Sequence, residues 1–272
     1  MYLYLRSLIR SIGPIDKILM YFLTYFRVKK SKKIFFLNYA KFEDLSAIIE
    51  NYKYSILKTH RPPSQVMNIE ILIKHITNFK IDGDIVEAGV FTGGSSAFML
   101  LSILRNEGFN KRTFWGFDSF EGMPAPTKKD GNKAIKWIYG NSFKNENVNG
   151  ELISHKINKT DYLECYEYLK NTNYPKKYIK LIKGWFQNTI NTHKNNIKNI
   201  SILRIDADFY ESTLFVLSNL YDKVSKNGVI IIDDYGSFEG CRKAVDEFFE
   251  KRNLDKSIIT FFDDQIVYFF KY

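Results

Sequence analysis

The sequence is short of the residues that stiffen a fold by chemistry rather than by packing. It holds two cysteines, Cys165 and Cys241, far apart and in no CxxC spacing, which excludes a cysteine zinc site and a disulfide framework. That usage fits a reducing, cytoplasmic compartment. Six prolines and fifteen glycines leave no Pro/Gly-rich linker, and no internal repeat divides the chain into modules. No apolar run reaches the roughly 20 residues of a membrane-spanning helix. The early run at residues 18–26 is closed by Lys17 and Arg27. The basic residues 28–33 behind it are unlike a signal-peptide cleavage site.

Acidic residues are almost missing from one end. Residues 1–41 carry nine Lys/Arg against one acid, Asp16, so the other 231 residues hold 31 basic and 29 acidic side chains. The +10 formal charge is therefore local. A nearly neutral body without zinc-finger spacing, RNP-type aromatic box or basic recognition helix argues against nucleic acid as a partner. What is plentiful is core material, 45% hydrophobic and 16% aromatic, enough for one full domain. The simplest division is a basic, aromatic-rich helical arm over residues 1–60 and a single domain over 61–272.

From residue 84 onward short β-branched runs alternate with longer helical ones, the pattern of parallel strands covered by helices on both faces. Strands are expected at 84–86, 113–117, 178–182, 200–205 and 229–232. Residues 95–106 and 241–251 read as helices. Leu214, Leu217, Tyr221 and Val224 recur at helical spacing, with Asn227-Gly228 as the stop signal. Residues 258–262 and 266–270 around Asp263-Asp264 read as a closing hairpin.

Three motifs fall at strand ends. Glu87-Ala88-Gly89-Val90-Phe91-Thr92-Gly93-Gly94 joins the first strand to a helix, where glycines admit a ligand to the backbone and the helix offers free N–H groups. Its GxxxGG spacing is not the GxGxxG that grips a pyrophosphate. A carboxylate in front of it, Glu87, suits the ammonium group of an amino acid, such as the methionine end of S-adenosylmethionine; a ligand-free turn is the competing reading. Asp118, at the tip of the second strand, is suited to the hydroxyls of a ribose, or to a plain cap. Asp206, Asp233 and Asp234 follow the fourth and fifth strands, which as neighbours would lie about 4.8 Å apart. Carboxylates so converged repel unless a cation neutralises them. With no nitrogen or sulfur ligand nearby, Mg²⁺ or Mn²⁺ is the expected ion. Solvated helix caps are the alternative.

Taken together, residues 87–94, 117–124, 184–189, 203–213 and 229–236, with Cys241 to Val245 behind them, resemble the macrocin-type family of S-adenosylmethionine- and Mg²⁺-dependent sugar O-methyltransferases. The resemblance implies a Rossmann-like class I methyltransferase fold: a mostly parallel seven-stranded sheet with a C-terminal antiparallel hairpin. It also implies a cofactor pocket lined by Glu87, Gly89, Gly93, Asp118, Ser119, Gly184, Trp185 and Phe186, metal ligation by Asp206, Asp233 and Asp234, Asp208 as general base, and a homodimer. Gln187-Asn188 stands where the family more usually has Lys-Asp, which bears on the acceptor rather than on the reaction. A catechol-type methyltransferase and a non-catalytic scaffold of polysaccharide assembly are the rival readings. Residues 123–162, with Trp137 and Tyr139, would form a lid over the acceptor or a plain insertion. The basic arm reads either as a peripheral contact with the inner face of a membrane or as a dimerisation or docking helix.

Overall fold

A strand buried on both faces must be apolar along its whole length, and the sheet is built from those runs. The computed structural model describes residues 53–55, 58, 63–108, 112–140, 152 and 154–272. The basic arm lies almost wholly outside the described residues, as does the middle of the 123–162 stretch. Seven strands are present among the described residues: β1 Asp84–Ala88, β2 Phe114–Asp118, β3 Ile179–Lys183, β4 Ile200–Ile205, β5 Val224–Ile232, β6 Thr260–Phe261 and β7 Val267–Phe270. They form one sheet in the order β3-β2-β1-β4-β5-β7-β6. β1 to β5 pair in parallel, and β7 runs antiparallel to both β5 and β6.

Helices cover both faces, because alternate strand residues point to opposite sides. Ile85, Ile202, Val229 and Ile231 meet α1 (Pro63–Asn78), α2 (Gly94–Glu107) and α4 (Tyr162–Lys170) in one core. Val86, Leu203, Ile230 and Ile232 meet α3 (Gly131–Tyr139), α5 (Phe186–His193), α6 (Tyr210–Leu220) and α7 (Glu239–Lys251) in the other. No helix among the described residues is long and apolar enough to cross a membrane.

The expected order holds, with two local differences. Asn227-Gly228 is no helix stop: it lies inside β5, with Asn227 at φ 61°. The β4–β5 register shifts beside it, between Ile200 and Ile202, so the left-handed residue belongs to a bulge. α6 ends earlier, at Leu220. The first hairpin strand is only Thr260–Phe261 because residues up to Ile258 form a 3₁₀ turn. Asp263 Oδ1 then accepts from Gln265 N and Ile266 N, both at 2.9 Å, which closes the turn.

Register sets the position of the site. Ile182, Phe117, Ala88, Ile205 and Ile232 form one row across five parallel strands. Residues just past that row emerge together at the carboxyl edge. The chain turns outward in both directions from β1 and β4, and that switch point is where an open α/β sheet opens its crevice.

Candidate active site

The turn leaving β1 has no room for a side chain. Gly89 sits at φ 95°, and a Cβ there would lie 1.9 Å from the Asp206 carbonyl oxygen. The turn and the acidic loop after β4 are thus in direct contact. Gly93, at φ 85°, precedes α2, and its Cβ would meet Cys165 Sγ at 3.1 Å. α4 therefore roofs this turn. Thr92 Oγ1 donates to the Lys58 carbonyl, which ties the segment before α1 to the same place.

Asp118 organises the turn from the neighbouring strand. Its Oδ2 accepts from Val90 N (2.9 Å) and Phe91 N (2.7 Å), and its Oδ1 from Phe120 N (2.7 Å). Burial raises its pKa, and those three N–H donors oppose the shift. Ser119 is buried and stays within its own loop, donating to Gly122 O at 3.0 Å and accepting from Glu121 N at 3.1 Å. Gly184 N donates to Asp118 O at 2.8 Å, so the turn leading through Trp185 and Phe186 into α5 joins the end of β2. Gly89, Gly93, Asp118, Ser119 and Gly184 to Phe186 all lie along one edge, on the loops after β1, β2 and β3.

Glu87 is different. It is fully buried beneath the turn. Ser95 Oγ donates to its Oε1 at 2.7 Å, Ser96 Oγ to its Oε2, and Arg204 Nη1 to Oε1 at 2.6 Å. Burial pushes its pKa up, while Arg204 and the two serines pull against that. The structure thus puts Glu87 behind the turn as its support.

Three acids beyond β4 and β5 converge, in a set that differs from the expected one by Asp208 in place of Asp233. Asp206, Asp208 and Asp234 each bring one carboxylate oxygen to within 4.8 Å of the others. Asp208 holds φ 58°, a left-handed conformation uncommon outside glycine but more accessible to Asp and Asn than to other residues. Asp233 is buried and outside that group; its Oδ1 accepts from Arg204 Nη2 at 2.6 Å. The three grouped residues offer only oxygen, the donor that Mg²⁺ and Mn²⁺ prefer, so the set fits such an ion.

Two residues without an assigned role in the sequence complete the site. Arg204 stands alone as a charge in the strand Ile-Ser-Ile-Leu-Arg-Ile, and a buried arginine needs carboxylates. That was the available signal. Asp130 is buried between three elements. Its Oδ2 accepts from Thr127 N (2.6 Å) and Thr127 Oγ1 (2.8 Å), and its Oδ1 from Tyr210 N (2.6 Å) at the start of α6. From there α3 leads to Trp137, whose ring stacks on Phe238 at 5.2 Å; Phe238 meets Phe209, the neighbour of Asp208, at 6.0 Å. Part of the 123–162 stretch is therefore a helix beside the acidic loops.

The model of the macrocin-O-methyltransferase (TylF) family matches residues 63–271. Over 195 residues the chain is 32% identical to a demethyldecarbamoylnovobiocin O-methyltransferase of Streptomyces niveus, covering 71% of this chain and 68% of that one. It is 28% identical over 206 residues to a mycinamicin III 3''-O-methyltransferase of Micromonospora griseorubida, covering 74% and 73%. The solved structure of the O-methyltransferase NovP superposes with a TM-score of 0.66 at 29% identity, over 79% of this chain and 82% of that one.

Proposed function

The chain belongs to the macrocin-O-methyltransferase family, and from that premise we propose that it moves a methyl group from S-adenosylmethionine to a hydroxyl of a sugar or sugar-bearing small molecule. The acceptor class rests on relatives named for demethyldecarbamoylnovobiocin and for the 3'' position of mycinamicin III. The observation that carries the chemistry is the contact between a glycine-only turn and a cluster of three carboxylates at one sheet edge.

The cofactor's amino-acid end would lie against Gly89 to Gly93 and the first turn of α2, whose positive helix end favours a carboxylate. Asp118 would meet the ribose, exchanging some of its present N–H partners for hydroxyls. Gly184 to Phe186 would close the adenine side. Methyl transfer is an in-line displacement: an acceptor oxygen forms a bond to the methyl carbon as the carbon–sulfur bond breaks. The bonding pair goes to sulfur, leaving neutral S-adenosylhomocysteine. The hydroxyl proton must leave, and Asp208 is the group proposed to take it. Asp206 and Asp234 would hold Mg²⁺ or Mn²⁺ beside it. A bound cation there would orient a vicinal diol and make its hydroxyl more acidic. Asp233, expected in the same ligand set, would serve it from behind through Arg204.

The basic arm, outside the described residues, is proposed to touch an anionic membrane surface. The catalytic reading is tested by mass spectrometry of products formed from isotopically labelled S-adenosylmethionine with nucleotide-linked sugars, glycosides and catechol. A methylated sugar supports it. Methylation of catechol alone would replace the acceptor, and no transfer to any of them would remove the reading.

A further inference from the structure

Arg204 lies in the middle of the sheet, where position 204 of β4 pairs with Glu87 of β1 on one side and Ile231 of β5 on the other. It is 1% exposed. An apolar residue in that row would avoid the desolvation that a buried charge costs. The guanidinium spends its two ends on two different parts of the site. Nη1 donates to Glu87 Oε1 at 2.6 Å and to Ser95 Oγ at 3.3 Å, beneath the glycine turn and in the first turn of α2. Nη2 donates to Asp233 Oδ1 at 2.6 Å and to Asp206 Oδ2 at 3.0 Å, at the acidic loops.

We infer that Arg204 is a positioning residue that couples the cofactor turn to the acidic cluster, so that each ligand strengthens the binding of the other. The inference rests on the proposed cofactor and cation sites. A guanidinium is a rigid planar fork, and fixing one end fixes the other. A cofactor seated on the turn holds Glu87 and the start of α2 still, and with them the guanidinium and the Asp206 carboxylate it orients. A ligand set already ordered binds its ion more tightly because less freedom is lost. Linkage then requires the ion to raise cofactor affinity by the same factor.

Titration calorimetry measures both directions: Mg²⁺ into the protein with and without saturating S-adenosylhomocysteine, and S-adenosylhomocysteine with and without Mg²⁺. The expected result is an equal gain of at least about 5-fold each way. In Arg204→Lys one ammonium cannot serve both ends, so each ligand still binds while the factor falls to about 1. Should that variant lose its far-ultraviolet circular dichroism, Glu87→Gln takes its place, since it keeps the side-chain shape and removes the charge that anchors Nη1. Independent binding of both ligands in the native protein overturns the coupling alone, as does a factor left unchanged in the variant that folds. Absence of any Mg²⁺ binding overturns the cation site and the coupling together.

Discussion

Asp208 and Gly89 carry the most information per residue, for opposite reasons. Asp208 keeps a left-handed backbone at φ 58° despite its side chain. Asp208→Asn preserves shape and removes the base, so turnover should fall about 10²- to 10⁴-fold. S-adenosylhomocysteine affinity should stay put, and Mg²⁺ should still bind through Asp206 and Asp234. Calorimetry beside steady-state kinetics checks this, and a loss of Mg²⁺ affinity would move Asp208 into the ligand set. Position 89 has a positive φ and no room for a side chain, so only glycine fits. A methyl group there meets the Asp206 carbonyl at 1.9 Å, so Gly89→Ala must push β1 and β4 apart at their ends. The strain should cost roughly 1–3 kcal/mol or more, read as a lower denaturant midpoint, together with loss of cofactor binding. A variant with native stability and affinity would show that the turn yields without harm.

Residue roles were partly legible in the sequence. A glycine turn and acids at strand ends are local patterns, visible without a fold. The partner of Glu87 is not local: Arg204 comes from another strand and meets it only through the β1–β4 register. From sequence alone Glu87 shows only its place before the glycine turn, with no sign of the arginine that meets it. Likewise the neighbouring Asp233 and Asp234 look equivalent in sequence, yet one turns to Arg204 and the other to the cluster.

Among the elements, strands were the most legible, because a doubly buried parallel strand is a continuous apolar run. β4 appears with the limits its composition suggests, Ile200–Ile205, and all six of its residues are buried. Asn-Gly misled, since it marks a left-handed backbone and not what the backbone is doing there; here it is a bulge in β5. The α3 segment was legible only as a stretch with aromatics. Its attachment depends on Asp130, which accepts from Tyr210 N at 2.6 Å in a place where Tyr210 itself is buried. Asp130→Ala leaves that N–H and Thr127 unanswered, at a cost of about 1–3 kcal/mol. Because Tyr210 N opens α6 directly behind the Asp206 to Phe209 loop, turnover should fall beyond what stability explains. Chemical denaturation and kinetics at a temperature where the variant is folded separate the two. A fall in stability with turnover intact would make Asp130 a fastening point only.

At the scale of the whole molecule, charge is divided unevenly: nine Lys/Arg and one acid in residues 1–41, against near balance in the rest. A polarised charge of this kind orients a protein towards an anionic surface, whereas evenly spread charge would not. Arg6, Arg10, Lys17, Arg27, Lys29, Lys30, Lys32 and Lys33 alternate with Leu, Ile, Tyr and Phe, so apolar burial can accompany the attraction. Each basic residue near such a surface contributes about 1 kcal/mol. Salt screens that attraction, with a Debye length of about 8 Å at physiological ionic strength. The full chain should therefore sediment with vesicles containing anionic lipid, stay in solution with zwitterionic ones, and be released as salt rises. Replacing Lys29, Lys30, Lys32 and Lys33 with glutamine should weaken sedimentation several hundred-fold if all four lie at the surface, since about 4 kcal/mol is lost. Methyl transfer to a soluble acceptor, measured on the same variant, shows whether the arm also serves the reaction. Equal sedimentation of the native and glutamine-substituted chains would show that the basic arm serves something other than a membrane.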